Sequence, residues 1–336
     1  MADALRLGIL GAGAITQVAH LPVLRKLKGV SVTALCDNDL PKARALAERF
    51  EVPRAVDDIE ELLKPGDLDA LLICTPNHLH ESHAIAGISA GLHVLIERPL
   101  AMTAASAQKI IKAAEKRERI LMVSATHRYR SDVQLVRSFV QSGELGDIES
   151  VRGSWHVFRP GRAQLAWRQR RDEAGGGAML DLGQAILDLG FWLANDPVPV
   201  RVSASLDRPA REKAVEQSGS AFVVCEGGVS VFVDVNWHHI GSGERFGVGL
   251  RGTRGTAGIN PLHVWKELNG VPTDVAPTGS VGRENPFTAA TRAQWAHFLA
   301  AVDGSAKPGG LQDQIRLHKV LDAIYRSAAD GKDVTL

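Results

Sequence analysis

Five apolar segments in the first 125 residues alternate with segments of helical periodicity. The apolar segments are Leu5–Leu10, Val30–Leu35, Leu68–Cys74, Val94–Ile96 and Ile120–Val123. Each is a largely continuous apolar run rather than an apolar–polar alternation, which predicts strands buried on both faces. Strands of this kind, separated by amphipathic helices, form a parallel sheet that helices cover on both sides. Residues 1–125 are therefore predicted to form one doubly wound α/β domain.

A glycine-rich turn follows the first predicted strand. Gly11-Ala-Gly13 lies between that strand and a helical pattern, which is the arrangement of dinucleotide-binding domains. There the first glycine permits a tight turn, and the second lets the backbone approach the pyrophosphate at the helix N-terminus. The third position of the pattern is Thr16, where glycine or alanine is usual. By itself this pattern is weak evidence for a nucleotide site.

Asp37 strengthens the dinucleotide interpretation. It closes the second predicted strand, at the distance from Gly11 where such domains place the carboxylate that binds the ribose. A carboxylate at this position repels a 2′-phosphate, so the predicted cofactor is NAD rather than NADP. The alternative is a glycine-rich turn beside a solvated aspartate, and the order of the elements favours the cofactor site.

Residues 126–336 show a different pattern and are predicted to form a second, α+β domain. A helix at about 132–142 precedes the predicted strands, which are Ile148–Val157, Val200–Leu206, Ala221–Cys225, Val229–Trp237 and Phe246–Leu250. Because few helices separate these strands, they predict a mostly antiparallel open sheet. Gly175-Gly-Gly177 begins a helix to about Leu193, and helices at about 288–302 and 311–329 end the chain. Residues 271–285, rich in Pro, Gly, Thr and Ser, predict a long exposed loop.

Composition excludes several classes of partner. Apolar residues make up 45% of the 336 residues, enough for a sizeable core, and the net charge of +1 argues against a nucleic-acid or acidic-membrane partner. The three cysteines, Cys36, Cys74 and Cys225, are widely spaced, which favours buried thiols over disulfides or a zinc site. No apolar run approaches the ~20 residues of a membrane span, and no leader is recognisable. A soluble cytoplasmic protein is expected.

Several further motifs occur in an order that is specific to one family. They are Ile9-Leu-Gly-Ala-Gly13, Thr75-Pro-Asn-His-Leu-His80, Gly91-Leu-His-Val-Leu-Ile-Glu-Arg-Pro-Leu-Ala101, Ser142-Gly-Glu-Leu-Gly-Asp-Ile148, Trp167-Arg168, Gly175-Gly-Gly-Ala-Met-Leu-Asp-Leu-Gly183 and Lys332-Asp-Val-Thr-Leu336. With them the chain resembles, over nearly its whole length, the Gfo/Idh/MocA oxidoreductases. The resemblance implies a Rossmann domain followed by a domain whose open sheet often mediates dimers or tetramers, so a homodimer or homotetramer is predicted. It also implies hydride transfer between NAD(P) and a hydroxyl carbon of a sugar or polyol.

The resemblance extends the predicted cofactor site beyond the glycine turn. By position within the family motifs, the predicted cofactor-binding residues are Gly11, Gly13, Ala14, Ile15, Asp37, Asn38, Thr75, Pro76, Asn77, His80, Glu97 and Arg98. The Glu97-Arg98-Pro99 segment ends a buried strand at the edge where open α/β sheets bind ligands. Its charged residues are therefore predicted to face a ligand rather than form a plain solvated rim.

Two positions depart from the family pattern. The usual Glu-Lys-Pro motif contains a lysine that contacts the nicotinamide ribose and the reacting oxygen, and Arg98 replaces it. The usual Asp-x-Gly-x-His motif supplies the acid/base histidine, and Ala185 replaces it. Ala185 cannot transfer a proton, whereas the Arg98 guanidinium stays protonated and can stabilise an oxyanion or bind a carboxylate. Because loss of a general base lowers the rate by about 10²–10⁴-fold, another group is expected to take this role.

The predicted catalytic residues are Asp181, Arg98 and Tyr129. On a helix Asp181 and Asp188 share one face with the lost histidine position, and in the family this face is directed at the substrate. Asp181 is predicted to act as the base if burial favours its protonated form. Tyr129 lies, with His127, where family members often place substrate contacts.

The predicted substrate-binding residues are Arg128, Trp167, Arg168, Asp181, Gln184 and Asp188. The substrate is predicted to be carbohydrate-like, and anionic if two of the arginines near the site point inward. Arg170 or Arg171 is expected to be solvated instead. The histidines His156, His238 and His239 are each better explained as surface or structural residues, and no ligand spacing predicts a metal site.

Three functions remain open at the level of sequence. The motifs favour an NAD-dependent oxidoreductase of a sugar, polyol or sugar acid with a remodelled acid/base site. In the second function, oxidation of a sugar carbon is transient, elimination follows and the cofactor is regenerated, as in a redox-neutral lyase or glycosidase. The third is a non-catalytic protein that binds the cofactor or a sugar. The retained Gly11, Gly13, Asp37, Glu97 and Asp181 argue against the third.

Overall fold

The structure, a computed structural model, describes residues 4–64, 66–159, 166–207, 214–277 and 284–336. The chain divides into two compact units: unit 1 comprises Met1–Tyr129 and Glu284–Gln314, and unit 2 comprises Arg130–Arg283 and Ile315–Leu336. The domain division predicted from the sequence, 1–125 and 126–336, differs from these units chiefly in residues 284–314, which pack with unit 1. A segment that returns to the first domain leaves no local signal in a sequence.

Unit 1 contains a six-stranded parallel sheet among its described residues. Its strands are β1 (Leu5–Leu10), β2 (Val30–Cys36), β3 (Arg54–Val56), β4 (Ala70–Ile73), β5 (His93–Ile96) and β6 (Leu121–Val123). They lie in the order β3-β2-β1-β4-β5-β6, and each neighbouring pair is parallel. The predicted doubly wound fold is confirmed. Because the strand order reverses at β1, the carboxyl ends of β1 and β4 border the place where such sheets bind ligands.

Ten α-helices are described in the structure, with two π-helical turns. The helices are α1 (Leu21–Leu24), α2 (Leu40–Phe50), α3 (Ile59–Leu62), α4 (His80–Ser89), α5 (Ala104–Arg117), α6 (Ser131–Gln141), α7 (Arg171–Ala174), α8 (Gln184–Leu193), α9 (Pro286–Val302) and α10 (Leu311–Asp330). The π-helical turns, Thr16–His20 and Met179–Gly183, lead directly into α1 and α8. Such turns are rare in proteins overall, but those that occur often lie at functional sites.

The core of unit 1 joins the sheet to α9. Leu7 and Ile9 of β1 are fully buried, and they belong to the same apolar cluster as Trp295 and Phe298 of α9. These two aromatic side chains are 0% exposed. Their burial explains why the segment 284–314 packs with unit 1, since large aromatic side chains dominate the apolar area that a core removes from water.

Unit 2 contains a nine-stranded sheet within the described ranges. Its strands are β7 (Ile148–His156), β8 (Pro199–Leu206), β9 (Ser218–Cys225), β10 (Ser230–Asn236), β11 (Arg245–Gly252), β12 (Gly255–Ile259), β13 (His263–Leu268), β14 (Val271–Asp274) and β15 (Val334–Thr335). Their order is β14-β13-β12-β11-β7-β10-β9-β8-β15. Strands β7 and β10 pair in parallel, and the other neighbours are antiparallel. The predicted mostly antiparallel sheet is confirmed.

The loop predicted over 271–285 is wrong at its start. Val271–Asp274 forms β14, which pairs with β13 at the edge of the sheet. Pro272 is tolerated there because an edge strand does not need every N–H for a neighbour. Residues 278–283 of that prediction lie outside the described residues.

Helices α6, α8 and α10 build one core with the unit 2 sheet. Val136, Ile186 and Leu321, one from each helix, are at most 3% exposed and share a single apolar cluster with the strands. Phe222 and Phe232 are cross-strand neighbours on β9 and β10, and they are 40% and 38% exposed. One side of these strands is thus buried, while the other presents aromatic surface. Within the described ranges, no helix is both long and apolar enough to cross a membrane.

Candidate cofactor and substrate sites

The turn after β1 has a backbone conformation that favours glycine. Gly11 has φ +103°, and a Cβ there would lie 2.6 Å from the carbonyl oxygen of Cys74. The Gly11 N–H donates to Cys36 O at 2.8 Å, and the Thr16 hydroxyl donates to Gly11 O at 2.6 Å. Thr16, which is 0% exposed, therefore stabilises the turn from the position where the sequence departs from the usual glycine pattern.

Gly13 borders open space instead. A Cβ at Gly13 would meet no described heavy atom within 4 Å. Ala14 and Ile15 begin the helical segment, and Ala14 is exposed while Ile15 is half-buried. The first N–H groups of a helix lack intrahelical partners, and an open cradle beside them suits a pyrophosphate. The residues present therefore fit the predicted cofactor, although the individual contacts stay predictions.

Asp37 links the end of β2 to the glycine turn. Its Oδ2 accepts from the Ala12 N–H at 2.7 Å, and its Oδ1 accepts from the Asp39 N–H at 3.0 Å. Lys42 Nζ lies 2.7 Å from the same Oδ1, and the Asp37 side chain is 9% exposed. Asn38, beside it, is exposed. The carboxylate is thus held at the turn where this fold class binds a ribose, and Lys42 partly neutralises its charge.

Two histidines of α4 fix the segment after β4. The Thr75 hydroxyl lies 3.0 Å from His83 Nδ1, and Thr75 O lies 2.9 Å from His80 Nε2. His80 Nδ1 lies 2.7 Å from Pro99 O, and His80 is 1% exposed. Burial lowers the pKa of His80, and the two facing carbonyls offset this only in part. The His80 ring lies between these two carbonyls, one after β4 and one after β5, and so links the segments that follow the two strands.

These contacts do not support the prediction that His80 itself binds the cofactor. Both ring nitrogens face backbone carbonyls, and the side chain is buried. The sequence motif alone could not show whether His80 contacts the cofactor or binds only the backbone, because both roles require a histidine at this position. Pro76 is half-buried and Asn77 is 9% exposed in the braced segment, and their cofactor contacts stay predictions.

Glu97 and Arg98 follow β5 at the same edge of the sheet. Glu97 Oε1 lies 3.0 Å from His20 Nε2, and the Glu97 side chain is 17% exposed. Burial raises the pKa of Glu97, but hydrogen bonds from His20 and Ser124 and the charge of Arg98 outweigh it and hold the pKa below its usual value. Arg98 is half-buried, and the Arg98–Pro99 peptide bond is cis. The segment therefore carries an ionised carboxylate next to a guanidinium.

Tyr129 has a polar partner on α9. Its hydroxyl lies 3.0 Å from His297 Nδ1, and His297 Nε2 lies 2.8 Å from Lys307 O. Because a carbonyl only accepts, His297 carries its proton on Nε2 and accepts the Tyr129 O–H at Nδ1. Arg128, next to Tyr129, is half-buried. The catalytic role of Tyr129 stays a prediction, and sequence reasoning missed its partner His297.

In unit 2, Asp181 is the centre of a second polar cluster. Its Oδ2 accepts from Trp237 Nε1 at 3.1 Å and lies 2.8 Å from Arg159 Nη1. The Arg159 guanidinium also lies 5.3 Å from the centre of the Trp237 ring. A guanidinium this close stabilises the ionised carboxylate, which opposes the predicted protonated form of Asp181. Arg159 was missed because it follows β7 and lies outside the family motifs.

The predicted substrate face of the Asp181 helix is more buried than expected. Gln184 and Ala185 are 2% and 5% exposed, while Asp181 and Asp188 are half-buried. The π-helical turn Met179–Gly183 accounts for part of this, because its wider turn rotates the residues that follow. Contacts of Gln184 and Asp188 with a substrate stay predictions.

Two of the three glycines before this helix leave no room for a larger side chain. A Cβ at Gly176 would collide with the Tyr325 hydroxyl, and one at Gly177 would collide with the carbonyl oxygen of Glu216. Glu216 Oε1 accepts from the Gly177 N–H at 2.8 Å, the Met179 N–H at 3.1 Å and the Tyr325 hydroxyl at 2.9 Å. Burial raises the pKa of Glu216. Glu216 and Tyr325 thus hold the start of the Asp181 helix, and no local sequence signal identified either residue.

Of the remaining predicted residues, Arg168 contacts Trp167, whereas Arg170 and Arg171 are exposed to solvent. The Arg168 guanidinium lies 4.4 Å from the centre of the Trp167 ring, and both residues are half-buried. Arg170 forms an exposed ion pair with Glu173 at 2.6 Å, in line with its predicted solvation. Arg171 is exposed as well.

The three histidines considered in the sequence analysis, His156, His238 and His239, lie in unit 2. His156 Nε2 lies 2.9 Å from Asp234 Oδ2, and the His156 and His239 rings lie 5.4 Å apart. His238 is exposed. In the part of the chain that the structure describes, no group of three or more His, Cys, Asp or Glu side chains is arranged to hold a metal ion.

Two family models match the chain. Residues 5–125 match the oxidoreductase family with an NAD-binding Rossmann fold, and residues 133–258 match the Gfo/Idh/MocA C-terminal domain. The matched residues together make up well over half of the chain.

Individual relatives match over nearly the full length. The D-glucoside 3-dehydrogenase of Escherichia coli (strain K12) is 27% identical over 99% of this chain and 97% of that protein. The crystal structure of GenD2 from gentamicin A biosynthesis, in complex with NAD, is 26% identical with a TM-score of 0.86, over 100% of this chain and 97% of that chain. Levoglucosan dehydrogenase, in complex with NADH and levoglucosan, has a TM-score of 0.89 at 21% identity over 99% of both chains, and so shares the fold.

Proposed function

Because the chain belongs to the Gfo/Idh/MocA oxidoreductase family, we propose that it is an NAD-dependent oxidoreductase acting on a hydroxyl carbon of a sugar, polyol or sugar acid. The observation that carries the proposal is the glycine turn, where Asp37 binds the Ala12 N–H beside the open position at Gly13. The substrate class is supported by the full-length relative that is named for D-glucoside oxidation.

In this proposal the residues of unit 1 bind and orient the cofactor. Bound NAD would exchange a hydride with the substrate carbon. Gly13 and the first N–H groups of the helix hold the pyrophosphate, and Asp37 accepts hydrogen bonds from the ribose hydroxyls. Arg98 supplies a fixed positive charge to a substrate oxygen that becomes negative as its proton leaves. The charge role of the usual lysine is kept, while its proton-transfer role is lost because guanidinium does not deprotonate.

The Tyr129–His297 pair is the proposed acid/base. The Tyr129 hydroxyl can release its proton to His297 Nδ1 while it accepts one from a substrate hydroxyl, because the two atoms are already 3.0 Å apart. Asp181 is less suited to hold a proton, since Arg159 lies 2.8 Å from its carboxylate, and it is assigned to substrate binding. Tyr129→Phe is expected to lower kcat by about 10²–10⁴-fold with little change in NADH affinity. Full activity in this variant would place the acid/base elsewhere.

The substrate is expected to be anionic if Arg98 and Arg168 both bind it. Loss of a charge-assisted hydrogen bond weakens affinity by about tenfold or more, so Arg98→Met and Arg168→Met should each weaken binding of sugar acids to that extent. Arg170→Met is the matched control, because Arg170 forms an exposed ion pair with Glu173. Unchanged affinity for sugar acids in both test variants would leave neutral sugars and polyols as the substrate class.

A substrate screen tests the reaction itself. The purified protein is incubated with NAD and a panel of glucosides, polyols and sugar acids, and NADH absorbance and the sugar products are both measured. Oxidation with accumulation of NADH supports the proposal. Conversion of a glycoside without NADH accumulation would indicate the redox-neutral alternative. No conversion, with NADH still bound, would indicate a non-catalytic binding protein.

The exposed phenylalanine pair supports a homo-oligomer as a further part of the proposal. Phe222 and Phe232 lie side by side on the unit 2 sheet and are 40% and 38% exposed. Paired exposed aromatic side chains often mark contacts between proteins. Light scattering should give a dimer or tetramer that the double variant Phe222→Ser, Phe232→Ser dissociates. A wild-type monomer would contradict this.

A further inference from the structure

We propose that Trp295 and His20 are positioning residues that fix the carboxylate of Glu97 and, next to it, the cation Arg98. All four residues belong to unit 1. The contacts stand independently of the reaction, and only their consequence for cofactor binding rests on the proposed function.

The hydrogen bonds determine which nitrogen of His20 carries the proton. Trp295 Nε1 donates to His20 Nδ1 at 3.0 Å, and an indole N–H can only donate. His20 Nδ1 is therefore the acceptor. The remaining nitrogen, Nε2, lies 3.0 Å from Glu97 Oε1 and carries the proton that binds this carboxylate. The opposite tautomer would set two N–H groups against each other and a lone pair against an anion.

The surroundings leave this arrangement little freedom. His20 is 1% exposed and Trp295 is 0% exposed, and their rings meet edge to face at 5.8 Å and 89°. The Phe298 ring also meets Trp295 edge to face, at 5.6 Å and 90°. His20 is the last residue of the π-helical turn Thr16–His20, which begins near the glycine turn. Trp295, buried on α9, is thus linked by hydrogen bonds through His20 to Glu97 at the end of β5.

The consequence concerns the two charged side chains that end β5. A carboxylate bound by a fixed N–H donor keeps one orientation, and its charge acts on the neighbouring Arg98 guanidinium. If the His20 proton moved to Nδ1, Glu97 would lose its donor and Arg98 would lose a fixed counter-charge. His20 and Trp295 are absent from the motifs that carry the family resemblance, so sequence reasoning did not single them out.

The arrangement is tested first without any assay of function. In the ¹⁵N spectrum of the labelled full-length protein, the His20 signals are assigned by their loss in His20→Gln. At about pH 7 we expect Nε2 protonated and Nδ1 hydrogen-bonded but unprotonated, and we expect the ¹⁵N shift of Nδ1 to move in Trp295→Phe, which removes its donor. A mixture of tautomers or a protonated Nδ1 in the wild type, or an unchanged Nδ1 shift in Trp295→Phe, would overturn the proposal.

Calorimetric titration with NAD then tests the effect on the cofactor site. At about pH 7, Trp295→Phe should bind NAD about threefold to tenfold more weakly than the wild type, because the His20 ring loses the donor that fixes its orientation toward Glu97. His20→Gln offers one acceptor and one donor and should bind NAD nearly as well as the wild type, whereas His20→Leu should be about tenfold weaker.

A Trp295→Phe affinity for NAD equal to that of the wild type would overturn the proposal. Equal weakening by His20→Gln and His20→Leu would show that His20 acts by packing alone and would overturn it as well. If the wild type itself does not bind NAD, the proposed function fails, and the ¹⁵N spectra alone then decide whether the His20 proton is fixed.

Discussion

The glycine turn of unit 1 and the Asp181 helix of unit 2 are built alike but held differently. Each contains a π-helical turn and a glycine whose Cβ would collide with a backbone carbonyl. The Ala12–Asp37 hydrogen bond that fixes the glycine turn joins residues 25 positions apart. Besides Arg159, the partners that hold the Asp181 helix are farther apart in sequence: Asp181 and Trp237 are 56 positions apart, and Gly177 and Glu216 are 39 positions apart.

This difference separates two kinds of site. The glycine turn follows from backbone geometry and one neighbouring strand, so short motifs describe it. The Asp181 helix depends on a buried carboxylate, a tyrosine and an arginine that only the folded sheet brings together. Substitutions should therefore act on the first through backbone strain and on the second through charge and hydrogen bonding.

The largest effect is expected at Gly11. Gly11→Ala should lower the free energy of unfolding by about 3 kcal/mol and abolish NAD binding, because of the positive φ and the clash with Cys74 O. Gly13→Ala is the matched control, with unfolding changed by less than about 0.5 kcal/mol and NAD binding still weakened. Urea unfolding and calorimetry measure both quantities. Equal unfolding midpoints for Gly11→Ala and the wild type would show that the turn is not strained as described.

Glu216 should make the stability of unit 2 depend on pH. Because burial raises its pKa in the folded state, Glu216 stabilises the protein at low pH, and this contribution is lost as pH rises through the folded pKa. Glu216→Gln cannot ionise at this position. The free energy of unfolding of this variant, relative to that of the wild type, should therefore increase from about pH 4 to about pH 8. The increase should be about 1.4 kcal/mol for each unit by which the pKa of Glu216 differs between the folded and unfolded states. Tyr325→Phe removes a donor to the carboxylate and should make the wild-type trend steeper. A stability difference between Glu216→Gln and the wild type that is constant with pH would contradict this.

The Arg159–Asp181 pair should show a smaller coupling. A double-mutant cycle with Arg159→Met and Asp181→Asn is expected to give about 1 kcal/mol in the free energy of unfolding, since both side chains are partly buried. The matched control is the exposed Arg170–Glu173 pair, for which about 0.2–0.5 kcal/mol is expected. Equal coupling in the two cycles would mean that the Asp181 cluster is no more than a surface ion pair.

The smallest effect is expected at Lys42. Its ammonium lies 2.7 Å from Asp37 and weakens the repulsion of a 2′-phosphate. Lys42→Met should raise the preference for NADH over NADPH by about two- to fivefold, as expected for a partly exposed ion pair. The ratio of the two dissociation constants is the measurement. A preference that falls in this variant would assign Lys42 a role in binding NADH itself.

The sequence predicted the fold class and the glycine turn because both depend on local patterns. Continuous apolar strands and the Gly11–Asp37 spacing were enough for unit 1. The return of α9 to unit 1 could not be predicted, since nothing in its own periodicity specifies which core Trp295 enters. The loop predicted over 271–285 failed at β14 because an edge strand tolerates loop-like residues.

The predicted site was least complete where the partners lie outside the family motifs. Arg159, Glu216, Tyr325 and His297 carry no motif and become visible only through their contacts. His80 shows the opposite case, in which a motif residue was assigned to the ligand and the structure buries it between two carbonyls. A motif identifies a residue that the fold requires and does not say whether the ligand or the backbone requires it.

Calorimetric titration of the purified protein with NADH and, in parallel, with NADPH addresses most directly whether the glycine turn and Asp37 form an NAD site. Tight NADH binding with clearly weaker NADPH binding, and loss of NADH binding in Asp37→Ala, is the expected result. Binding of neither nucleotide, or equal NADH affinity in the wild type and Asp37→Ala, would contradict the assignment of this turn as the cofactor site.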